Sequence, residues 1–265
     1  MNVRQHLFSK KHYANFLREH DEVIEFFKSN TFKSDSVEEE ASLRASYFKT
    51  LARDRLFAAY TGGEDIASLI PLLEDVIAKY EVRQKALAIY EESPDISPLA
   101  MDDWAYQFEE GAQVISLCIL LHRTDLLPRF VRLMDNAGYA GFDTLYEDLL
   151  KKVLPGRHDV DQWYHDVYTP LIQSIYVDSK EEASELLQQY CEQWYCAFEH
   201  APWHDTHHQG EDGNYVGYWA LEAGAIAFLY DIDDSKIDHM VYPKDLVEYA
   251  RNHKTTADPL RGRHE

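Results

Sequence analysis

The period of the apolar residues constrains this chain more than any other feature. From Tyr13 onward they return every three or four positions, the spacing that gathers them on one stripe of an α-helix. Alternating apolar and polar runs of the kind a half-buried strand needs are almost absent, and no Asn-Gly hairpin turn occurs. The pattern excludes sheet architectures and predicts an all-α fold.

The helices can be placed by their stripes and their ends. Tyr13, Phe16, Leu17, Val23, Ile24 and Phe27 define the first. Ser36-x-x-Glu39 has the form of a capping box ahead of Leu43, Tyr47, Leu51, Leu56 and Phe57, and Gly62-Gly63 closes that helix. Ile66 to Tyr90 continue the period, with Pro71 expected to kink or delay the start. Residues 91–101, with two prolines, form a loop. Asp102 or Asp103 is then expected to cap a helix through Trp104, Phe108, Ile115 and Leu121. Shorter helices are expected at 125–136 and 142–151, a break at Leu154-Pro155-Gly156, and a helix from Trp163 to Ile175. Ser179-x-x-Glu182 opens the clearest amphipathic helix, with Ala183, Leu187, Tyr190, Cys191, Trp194 and Phe198 on one face. Residues 200–216 are polar and turn-rich. Tyr218 to Tyr230 is apolar on nearly every side, the mark of a central helix, and Tyr242-Pro243-Lys244-Asp245 opens a short last one. The expected architecture is an array of packed antiparallel hairpins, roughly ten helices in all. It divides into an N-terminal region (1–155), a C-terminal domain (156–252) and a loose tail (253–265), and the two regions can pack as one unit. No strict repeat period marks a solenoid.

The chain has 265 residues, 47 acidic and 26 basic, a formal net charge of −21. The imbalance is local: residues 158–250 hold 19 acids against Lys180, Lys236 and Lys244, a net of −16, whereas residues 1–34 carry 6 basic and 4 acidic residues, a net of +2. Such a field repels nucleic acid and anionic lipid, so direct binding to either is not expected, and it attracts a basic protein partner. Cys118, Cys191 and Cys196 make an odd set among apolar residues, read as buried free thiols. The first residues lack the apolar core of a signal peptide, and no run approaches the length of a membrane span, so a cytoplasmic location is expected.

Three places could carry chemistry. His200, His204, Asp205, His207 and His208 could ligate a transition metal, but the spacing is not that of a recognised zinc motif. The reading preferred is that Trp203 and one or two histidines anchor this loop to the central helix. Glu222, alone in an apolar helix, must be paired or hydrogen-bonded, and a structural bond to a Tyr, a His or the backbone is preferred over acid-base catalysis. Asp231, Asp233, Asp234 and Asp238 resemble the start of a calcium loop but lack its glycine and distal glutamate, so an acidic surface that meets a basic partner is the functional reading. No phosphate-binding glycine loop or nucleophile elbow occurs. The expectation is a binding protein with no enzyme activity, cofactor or metal. The main alternatives are a metal-dependent hydrolase built on His204, Asp205, His207 and Glu222, a helical scaffold for another basic protein, and a broad DNA mimic.

The C-terminal third also resembles a known family. Gly217-Tyr218-Trp219-Ala220-Leu221-Glu222-Ala223, continuing through Ala227 to Ser235, is similar to the hallmark of PoNi-type immunity proteins. Tyr242-Pro243-Lys244-Asp245-Leu246-Val247 resembles its closing motif, and Trp194-Tyr195 followed by Trp203-His204-Asp205-x-His207 matches in order. The hallmark positions are Trp203, His204, Asp205, Tyr218, Trp219, Glu222, Tyr242 and Pro243. Leu221 and Gly224 depart from it, standing where Phe and Ala would be expected. The resemblance covers roughly 160–250, and the region before it is similar only in being long and helix-rich. It implies a cytosolic antitoxin that binds, one to one, a PoNe-type DNase of the PD-(D/E)xK kind delivered between competing bacteria. It carries no catalytic residues.

Overall fold

A computed structural model describes residues 2–253, and within them the chain is helical without strands. Ten α-helices run α1 (Lys10–Ser29), α2 (Val37–Thr61), α3 (Leu69–Tyr90), α4 (Ala105–Leu120), α5 (Leu127–Asp135), α6 (Thr144–Lys151), α7 (Thr169–Tyr176), α8 (Lys180–Ala197), α9 (Leu221–Tyr230) and α10 (Lys244–Asn252). Apart from its first residue, the tail expected to be loose lies outside the described residues.

Local chemistry sets most of the helix ends. Ser36 and Ser179 accept from the amides of Glu39 and Glu182 at 3.0 and 3.2 Å, so both serine caps form. Asp143 caps α6 through the Tyr146 amide at 2.9 Å. Before α3 a short 3-10 turn at Ile66–Ser68 takes up the first residues, and α3 starts at Leu69 with Pro71 in its first turn, where a missing N–H costs nothing. The expected cap of α4 is corrected. Trp104 stands at the N-cap without a side-chain bond, and neither Asp102 nor Asp103 serves. The segment from Trp163 also starts its α-helix later, at Thr169.

The α2–α3 and α7–α8 pairs are hairpins, and α4 packs along α9 at the centre. Gly111 to Leu120 of α4 and Leu221 to Ala227 of α9 are buried on every side. Gly224 lets α10 approach α9: a Cβ there would stand 2.7 Å from Pro243 Cγ and 2.9 Å from Val247 Cγ2. That accounts for its departure from Ala in the family hallmark. The apolar core is continuous from Phe8 to Ala250 and runs through both regions.

The central helix begins three residues later than its apolar run. Gly217 sits at φ +114, a conformation a side chain rarely adopts, and a Cβ there would stand 2.2 Å from Thr61 Oγ1 and 2.5 Å from Trp219 Nε1. Tyr218 to Ala220 then run irregularly. Their polar backbone is satisfied from afar. The Gln5 side chain accepts from the Tyr218 amide at 3.0 Å and donates to the Tyr218 and Met240 carbonyls at 2.6 and 2.8 Å. Gln113 donates to the Trp219 carbonyl at 2.9 Å.

Candidate functional site

Acidic charge covers the outside of the C-terminal third. Of the 19 acidic residues between 158 and 250, 16 are exposed; the exceptions are Glu222, Asp234 and the half-buried Asp245. Glu181, Glu185 and Glu192 follow one another at spacings of four and seven along the outer face of α8 and form an exposed stripe. The Ser184 hydroxyl donates to the Asp233 carbonyl at 2.6 Å, which ties the first turn of this helix to the 231–238 loop. The stripe and the loop are therefore neighbours.

Within that loop the four aspartates differ. Asp231 closes α9 in the left-handed conformation at φ 54, Asp233 caps the Ser235 amide at 3.0 Å, and both are exposed, as is Asp238. Asp234 is buried, accepts from the Tyr242 hydroxyl at 2.5 Å and pairs with Arg251 at 2.6 Å. Its carboxylate holds α10 in place and is not available to a partner, which corrects its place in the expected binding set. Asp234 also joins the two halves of the family motif, since it meets Tyr242.

The polar loop after α8 folds back by stacking. Trp203 lies on Trp194 with ring centres 4.9 Å apart and nearly parallel, and its indole N–H donates to Glu109 of α4 at 2.8 Å. The His204 ring stacks on Tyr195 at 4.1 Å. Asp205, left-handed at φ 61, accepts from the Tyr195 hydroxyl at 2.6 Å, and His207 Nδ1 meets the Tyr218 hydroxyl at 2.8 Å. Burial and the adjacent His208 lower the proton affinity of His207. The loop is anchored, but by α8, α4 and Tyr218 rather than by α9 itself. Among the described residues Asp205, His207 and His208 bring one potential ligand atom each to within 4.8 Å of the others. His204 and Glu222 are not part of that group, so the four-residue set of the alternative hydrolase reading is not assembled. His200 is exposed and apart from it.

Glu222 is fully buried and accepts from Tyr190 Oη at 2.6 Å and Trp194 Nε1 at 3.0 Å through one oxygen, while Oε2 has no partner. Burial pushes its carboxyl up to about 7, against the pull of these two donors. Glu109 lies in the same interior. It accepts from Gln113 at 2.6 Å and from Trp203, and burial drives its carboxyl well above the usual range against the pull of Arg53. Glu222 with Tyr190 and Trp194, and Glu109 with Gln113 and Trp203, form two hydrogen-bonded clusters that meet where Trp203 stacks on Trp194, and together they join α4, α8 and α9. A solvent path or a nucleophile that would make Glu222 an acid-base catalyst is not part of this arrangement. The two clusters fix the hallmark residues Trp203 and Glu222 against α8 and α4.

Sequence reasoning missed Gln5, Arg53, Glu109 and Gln113, because apart from the Glu109–Gln113 bond the contacts cited for them reach 60 or more positions away. It also overlooked the α8 stripe, although the glutamates are visible opposite the apolar face. Cys118 and Cys191 are buried free thiols as expected, but Cys196 is exposed. Five positions beyond Cys191, it falls on the other side of α8.

Residues 141–246 match the family described as PoNe immunity proteins (PoNi), C-terminal. The match supports a PoNi-type immunity protein and a role against PoNe nuclease effectors. The fold resembles the crystal structure of protein PA2201 from Pseudomonas aeruginosa, at 19% identity and a TM-score of 0.72 over 96% of this chain and 92% of that one. No curated protein matches the chain.

Proposed function

Starting from a chain whose residues 141–246 are of the PoNi type, we propose that it neutralises a cognate PoNe-type DNase by binding it one to one in the cytoplasm, as an inhibitor without catalysis of its own. The observation that carries this reading is the placement of the charge: 15 exposed acids within residues 141–246, the part of the chain that bears the family match. A nuclease of the PD-(D/E)xK kind grips DNA with a basic surface. An acidic protein surface competes with the phosphates for it, and long-range attraction speeds the encounter.

The face we assign to the toxin is the α8 stripe with its neighbouring loop, Glu181, Glu185, Glu192, Asp231, Asp233 and Asp238. These side chains are exposed, so reversing them leaves the core intact. Charge reversal of Glu181, Glu185 and Glu192 to Lys should slow association with the nuclease by about tenfold or more at low salt, and far less at high salt, where the field is screened. Surface plasmon resonance at two ionic strengths measures this. Unchanged association in both this variant and one with Asp231, Asp233 and Asp238 reversed to Lys would remove this face from the interface.

The absence of a helix long and apolar enough to cross a membrane among the described residues is compatible with this role.

A further inference from the structure

The loop anchored on Trp203 ends in a 3-10 turn, Thr206–Gln209, whose N-cap Asp205 and His208 are exposed and whose His207 is half-buried, bringing a carboxylate and two imidazoles together. The His207 and His208 rings are 3.8 Å apart, and His208 Nε2 lies 3.8 Å from Asp205 Oδ1. We propose that Asp205, His207 and His208 form a surface site for a divalent transition-metal ion of the zinc type. None of the interactions that define the buried clusters needs this triad, so the inference stands apart from the immunity reading.

The donor set carries it. Neutral imidazoles and a carboxylate are the ligands that zinc and its first-row neighbours prefer, and calcium or magnesium would call for oxygen ligands throughout. The triad is also supported from behind, as metal ligands are. The Tyr218 hydroxyl occupies Nδ1 of His207 at 2.8 Å and leaves the other ring nitrogen for an ion. The Tyr195 hydroxyl holds the Asp205 carboxylate at 2.6 Å. The backbone of the turn is fixed as well, since the His208 amide donates to the Asp205 carbonyl at 3.0 Å and Thr206 Oγ1 donates to the Trp203 carbonyl at 2.8 Å. Two tyrosines from separate segments thus aim two of the ligands. Ligand atoms within 4.8 Å of one another close onto a tetrahedral ion by small rotations, since His208 is largely exposed and free to turn. Three protein ligands leave a fourth position open to water or to a side chain of a bound partner.

The test is isothermal titration of the full chain, stripped with chelator, with zinc chloride alone. The expected result is one ion per chain, weakened about tenfold or more by His208→Ala and by Asp205→Asn, the size of loss that follows removal of a zinc ligand's partner or worse. His200→Ala, in the same loop but outside the triad, should bind as the unsubstituted protein does. The His208 side chain is largely exposed, so circular dichroism of His208→Ala should be unchanged and the variant remains informative. Absence of saturable binding, full binding by His208→Ala, or an equal loss in His200→Ala would each overturn the proposal.

Discussion

Glu222 offers a quantitative test of the buried clusters. Its carboxyl is fully buried and titrates at about 7 in the folded protein, against 4.5 for an ordinary glutamate. Because the folded value is raised, the unfolded chain releases this proton first. Glu222 therefore leaves stability untouched below about pH 4.5, erodes it as the pH climbs from 4.5 to about 7, and removes no more above that. At about 1.4 kcal/mol for each tenfold in proton affinity, the gap amounts to about 3 kcal/mol. Glu222→Gln abolishes the titration and keeps an acceptor for Tyr190 and Trp194. Groups remote from Glu222 contribute equally in both proteins and cancel in the difference, and relief of the Glu222 charge that helps raise Glu109 adds to the difference in the same direction. Urea unfolding followed by circular dichroism at pH 5 and pH 8 should show the unsubstituted protein losing about 2–3 kcal/mol more than the variant. Parallel profiles would refute the reasoning, because they would mean that the native carboxylate is ionised at no cost.

Two further substitutions test the assignment of roles. Trp203→Ala removes the stack on Trp194 and the N–H donated to Glu109, and should destabilise by roughly 2–4 kcal/mol in urea unfolding, whereas Trp203→Phe keeps the stack and should cost about 1–3. Asp234→Asn breaks the pair with Arg251 and weakens the bond from Tyr242, and should cost about 1–3 kcal/mol, whereas the exposed Asp233→Asn should stay within about 0.5.

The helices that are legible in the sequence are those whose ends are set by local chemistry. Ser36 and Ser179 cap as their spacing predicts, and an unbroken apolar face such as that of α8 leaves one choice of burial. Errors arise where a distant residue decides. Tyr218 to Ala220 have helical apolar spacing, but Gln5 and Gln113 take their backbone groups and Gly217 turns the chain. Asp234 reads as one more acid in a loop until Tyr242 and Arg251, 8 and 17 positions on, are seen to close over it. The Glu222 bonds to Tyr190 and Trp194 span 32 and 28 positions. The need for such partners followed from the cost of a lone buried carboxylate, but their identity required the fold.

The central claim is tested most directly by DNA degradation by the cognate PoNe-type nuclease, with and without an equimolar amount of this protein, alongside an unrelated DNase. The account predicts that the cognate nuclease is silenced and the unrelated enzyme is left active. Undiminished degradation by the cognate nuclease, with no complex formed, would contradict it.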